Sequence, residues 1–164
     1  MDHRSNLEGR RLLNPAFCAA ILARAVNGFS KDGGGAFPFL YSYLVLPLVL
    51  HPETRERLPT TIATRLITWT ERNAGLMTQY PRRMADLAPA SRDGLKMGTM
   101  TGLIGFNEMG AIVPGSANRS QSDYEKTSGS AEVLQCLKKS TFVGRWLVEA
   151  GTVPTVLVAL GIRL

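Results

Sequence analysis

A mainly α-helical, single-domain fold is predicted by three features of this sequence. Apolar residues recur at helical spacing in several stretches, each preceded by an Asn, Ser or Thr able to cap a helix. Only one pair of short apolar runs, at 103–106 and 111–114, flanks a tight turn of hairpin type. The chain has 164 residues, 45% hydrophobic and 20% charged, with a mean hydropathy near zero. That suits one real core, leaves little room for a second, and excludes global disorder. The expected organisation is an N-terminal tail over 1–13 and one domain over 14–164, with an exposed loop at 115–129.

The first helix should open at Asn14-Pro15, because a cap followed by proline costs no backbone hydrogen bond. Leu13, Phe17, Ile21 and Ala25 share a face, and Gly28 offers a left-handed stop, so its end is expected near Asn27. Ser30 to Gly35 reads as a flexible loop; its glycines lack the GK[ST] that a phosphate cradle would need. From Phe37 to Leu50 the chain is apolar on all sides. Length favours a helix from about Phe39, distorted near Pro47. His51-Pro52 closes that run, and PETRERLP forms a short charged turn or helix.

Thr60 or Thr61 should cap the next helix, with Ile62, Leu66 and Trp69 as its stripe and an end near Asn73. Pro81 interrupts the following pattern, so a kink or two short helices are expected there. Pro89 and then Ser91 should begin a further helix to about Thr101. The small residues Gly94, Gly98 and Gly102 suit close packing of another element. After the hairpin, Ser130 caps a long helix to about Ala150, Gly151 ends it, and Thr152 restarts a short one before Gly161.

The side chains offer little catalytic equipment. Only His3 and His51 can act as histidine bases, and the second sits where a helix terminus is expected. Cys18 and Cys136 fall in apolar helical surroundings and read as packing thiols. With two cysteines and two histidines, no zinc site, disulfide framework or cofactor is called for, and a reduced cytoplasm is the expected compartment. No apolar stretch reaches the length of a membrane span. The chain is basic, at +6, and residues 55–96 hold eight bases and four acids, which is most of that excess. Arginine outnumbers lysine fourteen to five, which suits docking on carboxylates or phosphates. The candidate contact residues are Arg82, Arg83 and Arg92, with Trp69, Tyr80 and Trp146 as aromatic anchors that burial habits would equally place in a core.

The segments NPAFCAAIL (Asn14 to Leu22), FPFLYSYLVLPLVLHPETRERLP (Phe37 to Pro59), the helix ending at Trp69 to Asn73, GAIVPG (Gly110 to Gly115) and AGTVPTVLVALGIR (Ala150 to Arg163) stand in order along the chain. In that order and spacing they resemble the middle component of bacterial ABC-three-component conflict systems. The resemblance implies a non-catalytic adaptor in anti-phage or anti-plasmid defence, linking a chromosome-maintenance-like ABC ATPase to an effector such as a nuclease. Contact with DNA would then come through the complex. No catalytic residue carries over from such a family.

The C-terminal helix, glycine turn and second helix have helix-turn-helix spacing, and with the hairpin they allow a relation to winged-helix folds. The second helix is apolar from Val153 to Leu160 apart from Thr155, which suits packing better than base readout. The alternative function is a basic winged-helix-like module that binds nucleic acid non-specifically. An unrecognised hydrolase is a third reading.

Overall fold

The structure is a computed structural model that describes residues 13–117, 119–127 and 130–163. His3 and most of the expected tail lie outside them. The described residues form a mainly α-helical fold with one antiparallel hairpin, as the sequence predicts.

Helix α1 (Pro15–Phe29) opens as expected, with Asn14 Oδ1 accepting from Ala16 N–H at 2.8 Å. It is buried continuously from Cys18 to Phe29 and forms the axis of the core. Gly28 does not stop it. Glycine is there because the Thr141 carbonyl occupies the space where a side chain would stand. The left-handed turns come later, at Gly33 and Gly35, in a segment held by Arg145 Nε donating to Asp32 Oδ2 at 2.9 Å.

Residues 37–50 run from a short 3-10 turn (Phe39–Tyr41) into α2 (Ser42–Val49), which tolerates Pro47 within it. His51 then caps α3 (Pro52–Glu56) through Nδ1, which accepts from Thr54 N–H at 3.3 Å. Helix α4 (Leu66–Arg72) starts four residues later than the Ile62 stripe suggests. The Thr64 carbonyl is committed to the Trp146 indole at 2.6 Å, and Arg65 is extended, so helical bonding begins only after them.

Helix α5 (Ala74–Thr78) and α6 (Tyr80–Met100) meet at Gln79, and Pro81 falls harmlessly in the first turn of α6. The new helix expected at Pro89-Ser91 does not occur. α6 passes straight through Pro89, because that proline and Ala85, whose carbonyl loses its partner, both lie on an exposed face. Ser91 is buried rather than capping. Gly94 and Gly98 face inward, where an added Cβ would press on Cys18 and Ile104 at 2.9 and 3.0 Å.

Strands β1 (Ile104–Phe106) and β2 (Ile112–Pro114) pair as expected, with Phe106 opposite Ile112. The loop expected at 115–129 is corrected by the structure: it contains α7 (Gln121–Thr127), whose Tyr124 is buried. The buried Tyr124 ring and a bond from Arg24 Nη1 of α1 to the Arg119 carbonyl at 3.0 Å dock the segment on the core. Helix α8 (Ala131–Glu149) is capped by Ser130, and α9 (Val153–Ala159) follows Gly151 at a bend of 116°. α1 packs chiefly on α8 and α6, and α6 also packs on α2. Among the described residues no single helix is long and apolar enough to cross a membrane.

Candidate functional site

The three aromatic candidates are core residues. Trp69 and Trp146 meet edge to face with centroids 5.3 Å apart, and their indoles donate to the Arg57 and Thr64 carbonyls at 2.7 and 2.6 Å. Tyr80 is fully buried, donates to the Leu44 carbonyl at 2.8 Å, and has its phenol pushed far up by burial. Their polar atoms are satisfied internally and their rings are enclosed, so they have no face to offer a partner.

Four of the eight cations at 55–96 are also occupied. Arg55 is buried, donating to the Val49 carbonyl at 2.8 Å and to Glu132 at 3.1 Å. Arg83 donates to Thr54 Oγ1 at 3.2 Å and to the Leu76 carbonyl at 3.3 Å, tying α6 to α3 and α5. Burial lowers its guanidinium pKa, and burial followed by the charge of Arg83 lowers that of His51. Arg57 pairs with Glu53 at 3.1 Å. Arg82 is exposed and lies 4.0 Å from Asp86, one turn away on the same helix.

Arg92 is different, because it borders an open apolar groove of about 420 Å³. The chain builds this groove from three directions. Phe37 N–H donates to the Ile112 carbonyl at 2.7 Å, and Ile112 N–H returns a bond at 2.9 Å, so the segment entering the 3-10 turn lies along β2. Ile112 faces Phe106 on its other side. This brings Phe39 to 6.5 Å from Phe106 and leaves it edge-on to Tyr43 at 5.8 Å. Helix α6 supplies the opposite wall: Arg92, Leu95, Lys96, Thr99 and Met100 fall on one face at successive helical spacings.

Three of these groove residues keep large apolar surface in water. Phe39 and Phe106 are 42% and 44% exposed, and Met100 is 73% exposed. A cluster of this kind is unusual on a chain with so complete a core, and such clusters mark interaction surfaces. The rim is cationic. Arg92 and Lys96 stand one turn apart, and no carboxylate lines the groove.

A second apolar surface of about 490 Å³ lies between α4 and α9, lined by Ile67, Pro154 and Val158. Val158 is 72% exposed there, while Val156, Leu157 and Leu160 anchor α9 in the core. The two surfaces share no element. Among the described residues no three His, Cys, Asp or Glu side chains gather as metal ligands. Cys18 and Cys136 are both buried, and burial, followed by the charge of Asp93, pushes the Cys18 thiol up to about 11.

Of the six residues singled out from the sequence, the structure brings only Arg92 to an open apolar site. Phe39, Tyr43, Met100 and Phe106 were missed. The 92–95–96–99–100 stripe was visible, but nothing showed that it faced outward. In the uniformly apolar run from Phe37, no periodicity distinguishes an exposed Phe39 from a buried Phe37.

No curated protein and no solved structure matches this chain. A family comparison does, across residues 2–164, which is essentially the whole sequence. The chain belongs to the family described as ABC-three component (ABC-3C) system Middle Component 3.

Proposed function

We propose that this protein is a non-catalytic adaptor that holds an ABC-type, chromosome-maintenance-like ATPase and an effector together in a cytoplasmic defence complex. The observation that carries the reading is the pair of exposed apolar surfaces, one at Phe39–Phe106 and one at Ile67–Val158, built from separate elements. A linker between two proteins needs two such faces, each with apolar anchors and a polar rim. The family description, which places the chain in a three-component system, supplies two other components for them to meet. The side chains with most chemical potential serve the fold instead: His51 caps α3, and both thiols are packed inside.

The test is co-expression with the neighbouring ATPase and effector, followed by co-purification at moderate salt. Both partners should be retained, and Met100→Asp and Val158→Asp should each release a different one. Recovery of the chain alone, or a ternary complex indifferent to both substitutions, would overturn the proposal.

A further inference from the structure

We infer that the Phe39–Phe106 groove captures a short acidic segment of a partner protein, inserting one large apolar side chain between the walls and setting carboxylates against Arg92 and Lys96. That a partner exists rests on the adaptor reading; its chemistry rests on the groove alone.

The apolar half of the argument comes from the lining. Phe39, Tyr43 and Phe106 form one wall, and Met100 stands opposite with most of its thioether in water. Methionine is unbranched and polarizable, so it can close over an inserted aliphatic or aromatic side chain of differing shape. The space is a slot of about 420 Å³, suited to one or two side chains of a linear segment rather than to a folded surface.

The charged half comes from the rim. Arg92 and Lys96 lie four residues apart on α6, so their backbone positions are separated by about 6 Å along the helix. Neither has an ion pair among the described residues. Two cations beside an apolar slot, with no carboxylate in the lining, complement an apolar residue flanked by Asp or Glu. Carboxylates two apart in an extended segment have a similar spacing, about 7 Å.

Aromatic rings beside cations are also found where single-stranded nucleic acid binds, but that mode needs positive charge repeated along a backbone track. Among the described residues no such track lines the groove: Arg92 and Lys96 are the two cations in its lining, Arg55 and Arg83 are turned inward, and Arg57 and Arg82 stand beside acids of their own helices. Two neighbouring cations match a pair of carboxylates better than a run of phosphates.

The experiment is selection of random phage-displayed peptides on the full chain, followed by affinity measurement with the synthetic peptide that enriches most. The enriched sequences should share one large apolar residue with Asp or Glu within a few positions. Affinity should fall roughly tenfold or more in Met100→Asp and in the double variant Arg92→Glu/Lys96→Glu, while Val158→Asp binds like the parent. Peptides without acidic enrichment, no enrichment at all, or binding indifferent to both groove variants would overturn the inference. So would tighter binding of an oligothymidine with a steep salt dependence, which would assign the groove to nucleic acid. If acidic peptides bind the groove but the chain retains neither the ATPase nor the effector, the adaptor reading alone fails. If both partners stay bound to the two groove variants, the groove inference alone fails.

Discussion

Gly144→Ala should destabilise the protein by about 2 kcal/mol, whereas Gly75→Ala, the same chemical change, should be neutral or stabilising. Gly144 lies where α8 crosses α1. A Cβ there would collide with the Ala25 carbonyl oxygen and stand 2.8 Å from its carbon, where ordinary contact begins at 3.4 Å. The helices would have to part by at least roughly 0.6 Å along this line, and both sides of the contact are helical backbone with no rotamer to yield. Overpacking of this severity belongs at the upper end of about 1–3 kcal/mol, offset by about 1 kcal/mol of improved helix propensity. At Gly75 nothing lies within 4 Å of the added methyl, so only the propensity gain applies. For a chain of this size, a loss of 2 kcal/mol lowers Tm by about 4–8 °C. Urea unfolding followed by circular dichroism would measure both variants. A Gly144→Ala protein as stable as the parent would refute the close helix crossing on which the core is built.

Arg55→Ala should lower stability by about 2–4 kcal/mol, since it removes charge-assisted bonds from a buried guanidinium to the Val49 carbonyl and Glu132; a loss below about 0.5 kcal/mol in urea unfolding would contradict this. His51 is held below its ordinary pKa of 6.5 by burial and by Arg83, so the unfolded chain takes up the proton first and stability should decline as pH falls below that value. His51→Asn keeps a capping acceptor and should flatten this part of the pH profile when unfolding midpoints are compared between neutral pH and about pH 5.5. Cys18 and Cys136 are enclosed and both thiols are shifted up, so at about pH 8 an aromatic disulfide reagent should label neither until the protein unfolds; labelling of the native chain would show that the core opens.

Local signals in the sequence were sufficient wherever a cap or a breaker acted on its own neighbours. Asn14-Pro15, His51-Pro52, Ser130 and Thr152 begin helices, and Gly151 and Gly161 take the left-handed conformation at helix ends. The failures came where distant groups competed with those signals. Gly28 reads as a stop, but its lack of a side chain is used by Thr141, more than a hundred residues away. Thr61 reads as a cap, but Trp146 takes the carbonyl that the helix would need. Pro89 reads as a start, and the exposure of its face lets α6 continue.

The candidate site was legible only in part, for a related reason. An arginine-rich segment predicts charge on a surface, but bonds to Val49, Glu132, Thr54 and Leu76, each on another element of the fold or in the turn beside it, withdraw Arg55 and Arg83 from it. Tryptophan and tyrosine enrichment at interfaces made Trp69, Tyr80 and Trp146 natural candidates, yet their donors find carbonyls within the same chain. The exposed apolar surface instead comes from phenylalanine and methionine, whose side chains give no polar clue to which way they face.

The most direct measurement is site-specific photocrosslinking in the co-expressed three-protein complex. A photoreactive side chain at position 100 should form a covalent adduct with one partner, mapping to a peptide that carries acidic residues beside a large apolar one. The same group at position 135, an exposed and polar point on α8, should give none. Equal crosslinking from both positions, or no adduct from position 100 in a complex shown to be intact, would contradict the account that this chain acts by holding a partner in the groove.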